Sequence, residues 1–495
     1  MRTSFRFRLA APSRLNAPSR LNQTRTLILL MAALAAPALV TPAYVAPARQ
    51  GDMLAGQPKS EYRARRQKLM EQIKNGIVVL IGAREDEFGE VGRFRQKNDF
   101  MYLTGVQTPS AFMMLIPAGL IPNKPAQEIV FIPPRNSIQE RWTGPQIGPG
   151  AEAERQFGVQ EVADASKFND RLREVLITPA FKPEAGKPSA KIYTLIPGGT
   201  TAEIERETRF VESLRQAAPG VEVVNVSPYI AELRKIKSAA EVAILQRAID
   251  ITGEAQRDVA RAIKPGAYEY EAQAALEAAF TRNGAERPGF PSIVGSGIYS
   301  TVLHYNENRK KIEAGDMVVV DIGAEYGYYT ADITRTYPAS GKFTPRQREI
   351  YQLVLDAQRA AERAFKPGQT TIAQLHRVAF ETIKSSPLRD KQGGTLEKYF
   401  IHGLSHWLGM DVHDVGNYSN MPVGSVFTIE PGIYIPEEQL GARIEDDYLV
   451  TETGLVKLSR QIPSEPDEVE RMMSSRSKTE AASHSSSEAN KDKRP

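Results

Sequence analysis

Two textures of hydrophobic and polar positions divide this chain. From about residue 50 to 230, short apolar runs at 76–81, 111–116, 128–132 and 191–196 have the length and β-branched content of buried strands. Mixed, charged stretches such as 61–74 and 163–175 carry helical periodicity between them. Strands alternating with helices predict an α/β domain. From 238 the pattern changes. Ser238 and Glu241 form a capping-box signature, and Val242, Leu245, Ala248 and Ile249 continue at helical spacing. A second helix is predicted over 268–282, ending at Gly284, with strands at 292–294, 317–323 and 328–337. Thr344-Pro345-Arg346-Gln347 opens another helix, which ends at 366–368, and a further helix covers 371–384. Two long strands are expected at 425–435 and 442–451. Helix-helix-strand-strand thus occurs about twice, which predicts an α+β domain with two related halves.

The ends read differently. Arg2, Arg6, Arg8, Arg14, Arg20 and Arg25 precede an apolar run over 27–40, and small residues such as Ala46 and Ala48 follow it. That is the pattern of a secretory leader, and the run is shorter than the ~20 residues of a comfortable membrane span. From 464 to 495, Ser, Glu, Lys and Asp prevail, which predicts a disordered tail. The expected division is a leader at 1–48, an N-terminal domain at 49–232, a second domain at 233–463 and the tail at 464–495. The mature protein is expected to be exported, periplasmic or secreted, without a stable membrane anchor.

Composition narrows the chemistry. A net charge of +4 over 495 residues, part of it in the leader, gives no electrostatic footprint for nucleic acid. The absence of Cys removes disulfides, thiolate nucleophiles, Cys-ligated metals and a lipoprotein anchor. Any metal must be held by His, Asp and Glu.

Three of the six His fall in HGLSHWLGMDVHD, 402–414. His402 and His406 have a spacing that suits two zinc ligands on one helix face, but Gly403 and Gly409 oppose an undisturbed helix. Polar histidines satisfied by backbone in a buried loop are the other reading. A second anomaly lies in 317–337. If Tyr326 and Gly327 make a two-residue hairpin turn, Asp321 and Asp332 stand directly opposite each other on one face of the ladder. Like charges there repel, and a cation between them is required. Arg335 is close in sequence but lies an odd number of residues from Asp332 and so points to the other face. A bound metal accounts for the pair better. Glu430 and Glu445 repeat the theme as acids embedded in or ending apolar strands, although Asp446 and Asp447 leave a local acidic turn open for Glu445. A serine nucleophile is the rival chemistry. Neither Ser405 nor Ser296 sits in a Gly-x-Ser-x-Gly elbow, and a serine triad leaves the carboxylate pairs unexplained.

The segments VVVDIGAEYGYYTADITRTYP, HGLSHWLGMDVHDVG, TIEPGIYI and RIEDD resemble the pita-bread metallopeptidases, and most closely their aminopeptidase P (Xaa-Pro aminopeptidase) branch. Fainter resemblance runs through LHYNENR, FRQKNDFMYLTGV and ERWTG, so that it covers nearly all of 60–463. It implies an aminopeptidase P-type N-terminal domain followed by a pita-bread (creatinase/aminopeptidase-like) catalytic domain. It implies a dinuclear site in which Asp321 binds one ion, Asp332 and Glu445 bridge both, and His406 and Glu430 complete the other. Mn²⁺ suits four carboxylates and one imidazole, with Co²⁺ or Zn²⁺ able to substitute. Glu430 is also implied as the proton shuttle and His304 as a residue that steadies the intermediate. His402 and His413 are implied as substrate-side groups, and Arg443 with Tyr434 as a pair bonded to Asp321. His376 and His484 receive no role. The implied reaction removes an N-terminal residue from peptides with proline second. The alternatives are an Xaa-Pro dipeptidase (prolidase) and a non-catalytic binding protein of the same fold. A homodimer or homotetramer is expected.

Overall fold

The computed structural model describes residues 50–474 apart from 86–93, 183–188, 199–204 and 419. The expected leader and residues 475–495 of the expected tail lie outside the described residues. The N-terminal domain is built on a sheet of β1 (Gly76–Ile81), β2 (Phe112–Ile116), β3 (Gln127–Ile132), β4 (Glu161–Asp164), β5 (Lys191–Thr194) and β6 (Val223–Asn225). Their order in the sheet is β4-β3-β2-β1-β5-β6. The β1–β2 and β2–β3 pairs are antiparallel and the others parallel. In β1, Val78 and Leu80 enter one apolar cluster while Ile77 and Val79 enter another. A strand covered on both faces has no polar side to show, which is why it reads as an unbroken apolar run. The helix expected from 163 begins at Phe168 instead, because Glu161–Asp164 pairs in parallel with β3 and Asp164 then caps a short turn through Ser166 N.

Four helices connect this sheet to the second domain: α1 (Lys59–Gln72), α2 (Asn98–Thr104), α3 (Ser227–Lys235) and α4 (Ala239–Ala262). The boundary expected between 232 and 233 falls inside α3, and the chain passes from α3 to α4 through Ile236–Ser238. One apolar cluster crosses this boundary, joining Leu80 and Phe100 to Leu245, Ile249, Leu408 and Met410.

The second domain has the two-half organisation expected. The first half comprises α4, α5 (Glu269–Arg282), β7 (Ile293–Ser296), β8 (Met317–Ile322), β9 (Ala324–Tyr326), β10 (Tyr329–Thr330) and β11 (Ile333–Pro338). The second comprises α6 (Pro345–Ala364), α7 (Ile372–Lys384), β12 (Val426–Ile429), β13 (Gly432–Ile435), β14 (Leu440–Arg443), β15 (Asp446–Thr451) and β16 (Gly454–Lys457). The capping boxes at Ser238/Glu241 and Thr344/Gln347 are both closed; each stabilises its helix start by about 1 kcal/mol. The halves share an internal brace. Gln256 on α4 donates to Ile333 O at 2.8 Å, and Gln358 on α6 donates to Ile429 O at 3.0 Å. Each buried amide thus bonds a strand carbonyl at the edge of a sheet interruption.

Three expectations are corrected. The hairpin turn is Gly327-Tyr328, not Tyr326-Gly327, with φ of +56° and +71°. Two consecutive left-handed residues make the tight turn that matches strand twist. Tyr328 is held there by Arg95, 4.7 Å above its ring, and by Gln96 N–H donating to its hydroxyl. The register therefore shifts, and Asp321 faces Thr334 rather than Asp332. Asp332, two residues before Thr334, keeps the same face and lies one diagonal step from Asp321. The two long strands expected after the histidine block are each broken, at Glu430-Pro431 and at Ile444-Glu445. Finally, the tail does not begin at 464. Residues Pro466–Ser474 form α8, burying Val469 and Met472, one helical turn apart, against the core.

Candidate metal centre

The sheet interruptions place the site. Asp321 projects from β8, Asp332 stands just before β11, Glu430 between β12 and β13, and Glu445 between β14 and β15. A residue at a break is free of the ladder and its carboxylate can turn toward a shared cavity. His406 arrives on an extended segment that pairs with β12: Thr428 N–H donates to His406 O and Glu430 N–H to Leu404 O. The helical His402/His406 arrangement is thereby excluded. Gly409 is required sterically, since a Cβ there would lie 2.1 Å from Asp414 Oδ2, whereas Gly403 has open space around it.

Asp321, Asp332, His406, Glu430 and Glu445 line one cavity of about 520 Å³, together with His304, His402, His413 and Arg443. A larger cavity of about 1110 Å³ lies between the 107–110 and 133–147 segments of the N-terminal domain. It contains none of these residues, so size alone does not locate the chemistry.

His406 Nε2 lies 3.4 Å from Asp332 Oδ2, 3.4 Å from Glu430 Oε1 and 3.7 Å from Glu445 Oε1. Its Nδ1–H donates to Trp407 O at 3.1 Å, which turns Nε2 toward the carboxylates. Donor atoms of Asp332, His406 and Glu445 lie within 4.8 Å of one another, and all three residues are buried. Asp321 Oδ1, Asp332 Oδ1 and Glu445 Oε1 are buried without a hydrogen-bond partner among the described residues. Buried carboxylate oxygens facing one another without donors are costly unless a cation joins them. Four acids and one imidazole converging on one point fit divalent ions.

Electrostatics give the same picture. Burial, then the charges of Glu445 and Asp321, hold the Asp332 carboxyl well above its usual range. Burial and Glu445 do the same to Glu430, and burial and Asp321 raise Glu445. Burial alone lowers the His406 imidazole, but Asp332, Glu445 and Glu430 hold it well above its ordinary value. The acids repel one another, and the imidazole among them favours its charged form.

A chain of hydrogen bonds leads outward from Asp321. Arg443 Nη2 donates to Asp321 Oδ2 at 2.7 Å, and Nη1 to Tyr434 Oη at 2.9 Å. Tyr434 then donates to His402 Nε2 at 2.8 Å, and His402 Nδ1–H donates to Gly403 O at 2.8 Å. A carbonyl only accepts, so His402 carries a proton on Nδ1, and in its neutral form Nε2 takes the Tyr434 hydroxyl proton. Burial, with Arg443 nearby, lowers His402 to about 4. The His413 ring lies 4.3 Å from that of His406. Arg335 points away, as its parity required, and pairs with Asp446 at 2.6 Å. Asp446 and Asp447 are buried in β15, so the acidic-turn reading of Glu445 is excluded.

Two participants were missed. Thr334 Oγ1 donates to Glu445 Oε2 at 2.8 Å and accepts from Arg443 Nε at 3.1 Å, bridging one acid to the arginine that holds another. Asp447 Oδ2 accepts the Asp332 N–H at 3.3 Å. The period-2 spacing of Asp332 and Thr334 was the available signal for the first; nothing local distinguished Asp447 from Asp446.

Fold and site together define a metallopeptidase class. Residues 243–452 match metallopeptidase family M24, and residues 62–180 match the aminopeptidase P N-terminal domain. The chain is 33% identical to the Xaa-Pro aminopeptidase of Escherichia coli over 84% of its own length and 98% of that protein. Its fold matches the solved structure of zinc-substituted Escherichia coli aminopeptidase P in complex with product. That match has a TM-score of 0.73 at 32% identity and covers 84% of this chain and 98% of the other. A Pyrococcus furiosus Xaa-Pro dipeptidase is 38% identical, but over only 54% of this chain and 76% of that protein. The chain belongs to the aminopeptidase P family of M24 metallopeptidases, with that family's N-terminal domain and pita-bread catalytic domain.

Proposed function

We propose that this protein is a metal-dependent Xaa-Pro aminopeptidase that releases the first residue of peptides with proline second. The observation that carries this reading is the meeting of Asp332, His406, Glu430 and Glu445 with Asp321 in one cavity, where oxygens of Asp321, Asp332 and Glu445 are buried without a hydrogen-bond partner among the described residues. In this reading these five residues hold two divalent ions, with Mn²⁺ favoured by the oxygen-rich donor set. The ions, when bound, supply Lewis-acid activation of water and of the scissile carbonyl.

The chain's own residues do the rest. Glu430 Oε1 faces His406 and Oε2 lies 3.7 Å from His402 Nδ1. Its carboxylate accepts the proton of the attacking water and returns it to the departing proline nitrogen. An amide nitrogen leaves only as the amine, so a proton must be delivered to it as the bond breaks. Arg443 fixes Asp321, and through Tyr434 it fixes His402 as a neutral imidazole at the wall of the cavity. His304 and His413 stand on the substrate side, one to steady the developing charge and the other toward the proline. The leader-like pattern of arginines and apolar residues over 1–48 is what supports export, and a homodimer or homotetramer is the expected assembly.

Mn²⁺-loaded protein incubated with Arg-Pro-Pro and, separately, with Ala-Pro tests the activity. Release of Arg from the tripeptide is expected. Cleavage of the dipeptide alone assigns the protein as a prolidase, and cleavage of neither, with metal bound, assigns it a non-catalytic role.

A further inference from the structure

His413 presents an unsolved question of placement. Its side chain is exposed, and no protein group hydrogen-bonds its ring among the described residues. Beyond the contact of its ring with that of His406, its position is set by the backbone of the turn that carries it. That turn closes on itself through Asp414 N–H to Trp407 O at 2.9 Å and Gly409 N–H to Asp411 O at 3.2 Å. It is gripped from outside by charge. Arg234, on the last turn of α3, donates through Nη2 to Asp411 Oδ2 and to Asp414 Oδ1, each at 2.6 Å. Its Nη1 donates to Asp99 Oδ1 on α2 at 2.7 Å. Lys237 holds the second oxygen of Asp414 at 2.9 Å, and both of those side chains are almost wholly buried. Asn98, beside Asp99, donates to Met410 O at 3.0 Å and to Asp411 Oδ1 at 2.7 Å.

We propose that Arg234 is a positioning residue, the centre of a clamp by which the N-terminal domain and the α3–α4 connector fix the turn that holds His413 against the cavity. The planar fork of a guanidinium suits this task, because it meets three carboxylates in fixed directions. The turn is also anchored on its core side, where Leu408 and Met410 are buried and Leu408 N–H donates to Val426 O and Thr330 N–H to Gly409 O; the clamp holds its other arm, at Asp411 and Asp414 beside His413. Through Asn98 and Asp99 the N-terminal domain thus reaches the turn that carries His413. This inference rests on the substrate-side role given to His413 above.

The test is a double-mutant cycle on the metal-loaded full chain, with metal content and Arg-Pro-Pro kinetics read together. Arg234→Met is expected to lower kcat/KM by about 10- to 100-fold, chiefly through KM, with metal content unchanged. Arg234→Lys, which keeps the charge and loses the fork, is expected to recover part of the loss. In a His413→Ala background, Arg234→Met is expected to cause no further loss, since both changes remove the same interaction. Additive losses overturn the proposal, as does a wild-type rate in Arg234→Met beside an impaired His413→Ala. A wild-type rate in His413→Ala overturns instead the role given to His413. If Arg234→Met does not fold, Asp411→Asn, on the half-exposed side of the clamp, goes through the same cycle with the same expected non-additivity.

Discussion

Replacing Asp332 with Asn removes one charge from the centre of the site while keeping its shape. Without metal, this substitution is expected to stabilise the protein. The donor atoms of Asp332, His406 and Glu445 lie within 4.8 Å of one another. Two like unit charges about 4.8 Å apart, at an effective dielectric of ~20, repel by about 3.5 kcal/mol. Asp321 and Glu430 add the same sign, and His406, 3.4 Å from Asp332, subtracts part of it. A net relief of about 1–3 kcal/mol follows. At roughly 2–4 °C per kcal/mol, chelator-treated Asp332→Asn melts several degrees above chelator-treated wild type at pH 8. Metal reverses the order. At 100 times its dissociation constant an ion stabilises the wild type by about 2.7 kcal/mol, and the variant, lacking a bridging ligand, gains far less. Differential scanning calorimetry with chelator and with Mn²⁺ reads all four states. A metal-free variant melting at or below metal-free wild type refutes the claim that the acids repel; equal metal-induced shifts refute the claim that Asp332 is a ligand.

Other consequences follow from the same geometry. Free carboxylates titrate near pH 4, whereas Asp332, Glu430 and Glu445 keep their protons to higher pH in the folded chain. Above pH 4 the folded state therefore binds more protons than the unfolded one, and stability falls as pH rises. His406, raised above 6.5, acts in the same direction: its contribution is complete below 6.5 and is lost as pH climbs through its folded value. Metal-free protein is expected to lose melting temperature steadily from about pH 5 to 9, and a rise over that window contradicts the reading. His402, lowered to about 4, is neutral throughout the working range, so the fold-loss in kcat/KM of His402→Ala is expected to be the same at pH 6 and pH 9. Arg335 is fully buried and pairs with Asp446, so Arg335→Met leaves that acid with Lys457 as its cationic partner and with hydrogen bonds from Ser459 and Gln358. It is expected to destabilise by about 3 kcal/mol in urea unfolding, with per-site activity of the folded enzyme preserved; an unchanged midpoint contradicts this.

The chemistry of this site was more legible than its geometry. Asp321 and Asp332 stood out because an acid in an apolar strand has a cost that must be met, and that argument depends only on pattern. Their register did not, because it depends on Tyr328 taking a left-handed conformation that Arg95 and Gln96 hold from the N-terminal domain. The same limit hid the clamp on Asp414: Arg234 lies 180 residues before it and looks like any basic residue at a helix end. The breaks at Glu430 and Glu445 were read as continuous strands, since β-propensity does not register a carboxylate turning out of the ladder toward a shared centre. At α8 the density of charge masked the apolar pair Val469 and Met472, which bury only because a core is there to receive them. Thr334 carries no charge and no motif, and its bridging role exists only once Glu445 and Arg443 have been brought to it.

The central claim is that Asp321, Asp332, His406, Glu430 and Glu445 hold a two-ion site on which hydrolysis before proline depends. Titrating chelator-stripped protein with Mn²⁺, while measuring metal bound per chain and release of Arg from Arg-Pro-Pro, tests it most directly. Activity should be absent at first, rise with occupancy and saturate at two ions per chain. Full activity in the stripped protein, or saturation of activity with a single ion bound, contradicts the account.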